Sequence, residues 1–128
     1  RYVNAGHPAP LIFHEDGSID RLESGGPLLG YDPEFTYEMG EVPLRNGDLL
    51  LMYTDGVTEI VGSAGQLLDE SGLIGAVQNH LDQNVSLIAS LLLDKIEKFN
   101  RKSSFEDDVT FIVGRYSGIP TEVADGTS

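Results

Sequence analysis

The stretch Asn46-Gly47-Asp48-Leu49-Leu50-Leu51-Met52-Tyr53-Thr54-Asp55-Gly56-Val57-Thr58-Glu59 decides the fold. Asn-Gly is a strong short-range hairpin signal, because both residues tolerate the positive φ of a tight turn. It delivers the chain into Leu49 to Tyr53, apolar at odd and even positions alike. A strand of that kind hides both faces, so it is expected to be central and covered on both sides. Thr54-Asp55-Gly56 then places an acid and a turn residue just past its end.

Upstream, the pattern is that of antiparallel strands. Leu11 to His14 and Ile19 to Leu22 flank Asp16-Gly17 and predict a hairpin. Gly25-Gly26-Pro27 opens a loop through Gly30, Asp32 and Pro33. Phe35, Tyr37 and Met39 alternate with polar or small residues and predict another strand, with a one-residue bulge near Gly40 shifting the phase to Val42 and Leu44. Downstream the spacing turns helical. Asp69 or Ser71 can cap a helix bearing Leu73, Ile74, Val77 and Leu81, weakened by Gly72 and Gly75. From Ser86, a stripe of Ile88, Leu91, Leu92, Ile96 and Phe99 predicts the surest helix, with Lys95, Lys98 and Arg101 near its negative end. Val109 to Val113 predicts a last strand. Residues 117–128 lack periodicity and large apolar side chains, and are expected to form a mobile tail.

The chain of 128 residues is one domain's worth, with 40% apolar and 23% charged residues, enough for one modest core. Eight Lys and Arg against 21 Asp and Glu give a formal charge of −13, spread over both halves, which excludes nucleic acid as a natural partner and favours divalent cations. With no Cys there is no disulfide, thiolate nucleophile or sulfur-ligated zinc, and three scattered His do not make a histidine-rich metal site. No apolar run approaches the roughly 20 residues of a membrane span, so no membrane contact is expected of this segment. The chain enters directly on strand-like Tyr2-Val3 behind Arg1, and is expected to be part of a longer protein.

Two acidic positions stand out by place. Asp55 follows the central strand and Asp107-Asp108 precede the last one, and antiparallel neighbours bring the end of one strand beside the start of the next. If those strands pair, Asp55 and Asp107 converge on one rim, where Mg²⁺ or Mn²⁺ would relieve their repulsion. Spacing alone equally allows a plain turn at Asp55-Gly56 and a solvated loop at Asp107-Asp108.

Asn4-Ala5-Gly6-His7-Pro8, Gly26-Pro27-Leu28-Leu29-Gly30, Gly47 to Glu59 and Asp107-Asp108-Val109-Thr110 occur in an order and at separations that resemble the SpoIIE/RsbU branch of the metal-dependent type 2C (PPM) protein serine/threonine phosphatases. The resemblance covers residues 1–116. It implies an α+β fold, an antiparallel β-sandwich flanked by helices, with a binuclear Mn²⁺ or Mg²⁺ centre whose activated water attacks a phosphoserine or phosphothreonine in line. Asp55 matches the metal-binding aspartate of the family's Thr/Ser-Asp-Gly motif, and Asp107 matches the first, ligating position of its Asp-Asn/Asp-x-Thr motif. Asp108, Glu59 and Gly56 fall where they could support those ligands from behind, although Glu59 reads by default as a helix-start acid. The family's N-terminal Gly-Asp motif has no counterpart here, so the chain is expected to hold half of a catalytic site and to be inactive alone, with a possible tendency to self-associate.

The resemblance further implies a cytoplasmic setting and a phosphorylated protein substrate, an anti-sigma-factor antagonist in a partner-switching circuit. A non-catalytic phosphatase-fold module that binds a regulatory partner is the alternative. A metal-binding structural domain without phosphatase ancestry fits Thr54 to Glu59 poorly. His7 reads as part of a structural turn, and His14 and His80, with no partner motif, read as incidental. Gly25-Gly26 and Gly30 lack the Lys-Ser/Thr of a nucleotide loop.

Overall fold

A computed structural model describes residues 1–101 and 104–118. Its elements are β1 (Asn4–Ala5), β2 (Leu11–Phe13), β3 (Ile19–Arg21), β4 (Gly25–Gly26), β5 (Leu49–Tyr53), α1 (Asp55–Thr58), α2 (Asp69–Gln78), α3 (Val85–Phe99) and β6 (Phe111–Arg115). The run Leu49–Tyr53 is central, as its double-sided hydrophobicity requires. It lies between β2 and β6 in an antiparallel sheet of order β3-β2-β5-β6. Leu11 faces Leu51 across one ladder, and Tyr53 faces Phe111 across the other.

Strand alternation sends Leu49, Leu51 and Tyr53 to one face of the sheet. There they meet Leu11 and Phe13 from β2 and Leu73, Val77, Ile88, Leu92 and Ile96 from the two long helices, in one buried cluster. Each such side chain contributes about 1.5–3 kcal/mol of burial. Leu50 and Met52 on the other face are half-buried. Segment 2–10 lies over them, leaving a cavity of about 230 Å³ lined by Tyr2, Val3, Pro10, Leu22, Leu50 and Met52. Ile112, beside Met52 on β6, is 58% exposed. The two faces are therefore covered unequally, the second less completely than the expectation of cover on both sides implies.

Four local expectations are corrected. Among the described residues Phe35, Tyr37 and Met39 lie in no strand; a bridge joins Tyr2 to Gly40, and Glu38 N–H makes a lone bond to Gly25 O at 3.3 Å. The nearby β4 is two residues long, too short an edge to carry a ladder along this segment. Phe35 stacks edge-on against Tyr37 instead. Asn46-Gly47 consequently makes a turn into β5, Asp48 N–H donating to Arg45 O at 3.0 Å, but closes no hairpin. The last strand begins at Phe111 rather than Val109. The helix expected from Ser86 starts one residue earlier, because Asn84 is its cap and accepts from Leu87 N–H at 2.8 Å. Among the described residues the second layer of strands is only the β1-β4 pair. The tail expected over 117–128 lies, beyond residue 118, outside the described residues.

Direction alternates across the main sheet, so the ends of β3 and β5 and the starts of β2 and β6 share one rim. The starts of β3 and β5 and the ends of β2 and β6 share the other.

Candidate functional site

At the first rim the β5-β6 ladder runs one residue past the strands. Thr54 N–H donates to Thr110 O at 3.0 Å, and Thr110 N–H donates to Thr54 Oγ1 at 3.3 Å. Asp55 comes next and opens the single turn of α1, its carbonyl accepting Glu59 N–H at 2.9 Å. Gly56 is buried beneath it. A Cβ built on Gly56 would sit 2.1 Å from the carbonyl oxygen of Asp108 and 3.7 Å from Asp107 Cβ. Only glycine permits that approach. The Thr54-Asp55-Gly56 corner and the Asp107-Asp108 loop, far apart in sequence, are thus in backbone contact.

Asp55, Asp107 and Asp108 are all exposed. Asp107 Oδ1 accepts Asp108 N–H at 2.7 Å, which fixes its rotamer and leaves Oδ2 for another partner. None of the three joins an ion pair among the described residues. Glu59 ends α1 instead of starting a helix, so the first-turn acid is Asp55 itself. Glu59, Gly56 and Asp107 line one cavity of about 70 Å³ with Ile60 and Phe105. Carboxylate oxygens are the donors that hard divalent cations take. The oxygen donors at this rim are of the kind such an ion takes, and no three His, Cys, Asp or Glu cluster as a metal site among the described residues.

The rim is braced from behind. Tyr53 donates to Glu70 Oε2 at 2.8 Å, and Glu70 Oε1 meets Arg21 at 3.0 Å, so β3, β5 and α2 are tied together just below Asp55. Burial, with the Glu70 carboxylate second, pushes the Tyr53 hydroxyl far above its ordinary pKa of 10.0, and it stays a donor. His7 closes a turn, its N–H donating to Asn4 Oδ1 at 2.8 Å and its Nδ1 lying 2.8 Å from Pro8 O, which suits the structural reading.

His14 is the residue sequence reasoning missed. At the opposite rim it is 4% exposed and sits between two carboxylates. Its Nε2 is 2.7 Å from Asp20 Oδ2, and its Nδ1 is 2.9 Å from Asp48 Oδ1, near enough to pair although off the line of a hydrogen bond. The Asp20 hydrogen bond raises its pKa from 6.5, burial opposes, and Asp48 adds to the rise. Asp48, 2% exposed, is further satisfied by Arg45 N–H at 2.7 Å. Part of the signal was available. In the hairpin Ile12 faces Asp20, and Ile12 and His14 share a face, which makes His14 and Asp20 diagonal neighbours.

The fold is that of PP2C phosphatase domains. The SiaA PP2C domain of Pseudomonas aeruginosa superposes with a TM-score of 0.72 at 18% identity, over 88% of this chain and 44% of that one. The PP2C phosphatase domain of SpoIIE from Bacillus subtilis does so at 0.69 and 25% identity, over 89% and 33%. The RsbU and RsbW domains of Rv1364c from Mycobacterium tuberculosis give 0.67 and 29%, over 93% and 33%.

Residues 1–117 match the family described as Stage II sporulation protein E (SpoIIE), and the chain belongs to that family. Among relatives, it is 28% identical over 115 residues to the phosphoserine phosphatase RsbU of Bacillus subtilis, covering 89% of this chain and 34% of that protein. It is 27% identical over 111 residues to the protein IcfG of Synechocystis, covering 87% and 17%. The chain thus spans about a third or less of the length of these curated relatives. The family its motifs resemble is the one it belongs to.

Proposed function

We propose that this chain is part of a metal-dependent protein serine/threonine phosphatase in which Asp55 and Asp107 are metal ligands, with Gly56, Glu59 and Asp108 supporting them. The observation that carries the reading is the backbone contact of Gly56 with Asp108, which keeps two unpaired carboxylates on one rim. A divalent cation, Mn²⁺ or Mg²⁺, would supply an acidified water and offset charge on the transferring phosphoryl group. This chain's residues hold and orient the carboxylates. Thr54 locks the corner to Thr110, and the Asp108 N–H fixes Asp107. Asp107, held through Oδ1 with Oδ2 left over, is the ligand in this reading, and Asp108, whose N–H does the holding, is not. Two carboxylates leave most positions of a six-coordinate pair unfilled, so turnover requires acids from outside these residues and the chain alone is inactive.

The substrate is a phosphoserine or phosphothreonine on a regulatory protein. Similarity to a phosphoserine phosphatase, RsbU, and to a structure that joins RsbU and RsbW domains supports an anti-sigma-factor antagonist in a partner-switching circuit, in the cytoplasm. The test is Mn²⁺-dependent phosphate release from a phosphoserine protein by the complete polypeptide carrying Asp107→Asn or Asp108→Asn. The first should abolish turnover and the second largely preserve it. The reverse result would shift the assignment by one residue, and full activity of both would refute it.

A further inference from the structure

Residues 22–44 hold five carboxylates and no Lys, Arg or His. The segment leaves the sheet at the end of β3, so it springs from the same rim as Asp55 and Asp107. It is exposed and yet built. Its base is fastened by β4 pairing with β1. Tyr37 donates to Pro27 O at 2.7 Å, and Glu38 N–H to Gly25 O at 3.3 Å. Tyr31 N–H closes a turn onto Leu28 O at 3.1 Å, and Gly30, at φ +83°, supplies the positive φ that the third residue of a type II turn needs. Asp32 then caps a second turn, accepting Glu34 N–H at 3.0 Å.

This scaffold holds apolar side chains out in water. Leu28 is 63% exposed, Leu29 79% and Tyr31 81%. Grouped large apolar side chains on a hydrogen-bonded loop cost solvation unless something covers them. Around them stand Asp32, Glu34 and Glu38, all exposed and in no ion pair among the described residues. An anionic membrane surface would be repelled by that ring. A protein segment with apolar side chains set between Lys or Arg would be matched on both counts.

We propose that the loop at residues 24–40 is a protein-docking surface, in which Leu28, Leu29 and Tyr31 enter an apolar, Lys/Arg-rimmed site on the protein substrate beside the metal-ligand rim. It rests on the phosphatase reading only in naming that partner as the substrate. Aromatic and aliphatic anchors supply the binding energy, and the acidic ring selects and steers.

The experiment titrates the complete polypeptide into two fluorescein-labelled peptides of equal length, one alternating Lys with Leu and one alternating Glu with Ser, read by anisotropy. The Lys-Leu peptide should bind at least about tenfold more tightly than the other, and Leu29→Ser/Tyr31→Ser should remove most of that tenfold. Glu97→Gln, which deletes an acid on α3, should leave it in place. Equal weakening by Glu97→Gln would overturn the proposal, since net charge alone would then be responsible. Unchanged affinity in the loop variant would also overturn it. So would failure of the complete polypeptide to bind, because its own chain would then cover the loop. Binding of anionic phosphatidylglycerol vesicles that depends on Leu29 and Tyr31 would assign the loop to a membrane and overturn it too. Binding is read without turnover, so a polypeptide that docks the peptide but releases no phosphate breaks the phosphatase reading and supports the loop.

Discussion

The two rims of the main sheet treat aspartate in opposite ways. At the rim where β5 begins, Asp48 is buried and Asp20 half-exposed, and the chain supplies their counter-charge in His14. Arg115 reinforces that rim by donating to the carbonyls of Gly47, Leu81 and Gln83 at 2.7–2.8 Å. At the rim where β5 ends, the Asp55 corner meets the Asp107-Asp108 loop in the open, and none of the three acids is in an ion pair among the described residues. Unpaired acids also stand on the loop at residues 24–40, so the candidate site is marked by the backbone contact that packs the Asp55 corner against the Asp107-Asp108 loop, and not by the overall charge of −13.

Breaking the paired rim should cost most. His14→Leu leaves Asp48 buried with a single backbone donor and is expected to lower unfolding free energy by about 3 kcal/mol in urea titration, since deleting one partner strands a buried charge. A loss too small to resolve would mean that Asp48 is satisfied without His14, and the contrast between the rims would fail.

Gly56→Ala sharpens the other side. Its methyl would collide with the Asp108 carbonyl, a backbone atom that cannot swing away, so a loss of about 2 kcal/mol is expected together with weakened Mn²⁺-dependent activity. Retained stability and activity would show that the corner and the loop need not touch.

A smaller effect follows from pH. Because the folded pKa of His14 lies above its ordinary 6.5, its stabilising contribution is complete below 6.5 and is lost as pH rises through the folded value. Thermal midpoints should fall as pH rises from 6.5 through the folded pKa, and His14→Leu should flatten that dependence. Asp16, Asp20, Asp48 and Arg45 all lie around the ring, so salt should reduce the slope. The smallest effect belongs to Asp55→Asn, which should leave the metal-free unfolding midpoint unmoved, because no partner is lost.

Much of this was legible in the sequence. The Asp16-Gly17 hairpin, the central strand and the Ile88-Leu92-Ile96 stripe follow from turn chemistry and periodicity, which are local. The meeting of the Thr54-Asp55-Gly56 corner with the Asp107-Asp108 loop also follows, once β5 and β6 are taken as neighbours. What the sequence hid depends on partners. Phe35 to Met39 alternate like a strand but meet only the two-residue edge of β4, and the Asp20-His14-Asp48 chain joins residues from a hairpin and a distant turn. Glu59 was misread because α1 is only one turn long, which puts an expected helix start at its end.

The central claim is that Asp55 and Asp107 bind one cation jointly, and Mn²⁺ titration of the complete polypeptide by calorimetry tests it most directly. Asp55→Asn and Asp107→Asn should each weaken Mn²⁺ by at least about tenfold, and the double variant should be little worse than either single one, as expected of two ligands to one ion. Wild-type affinity in either single variant, or fully additive losses in the double, would contradict the account.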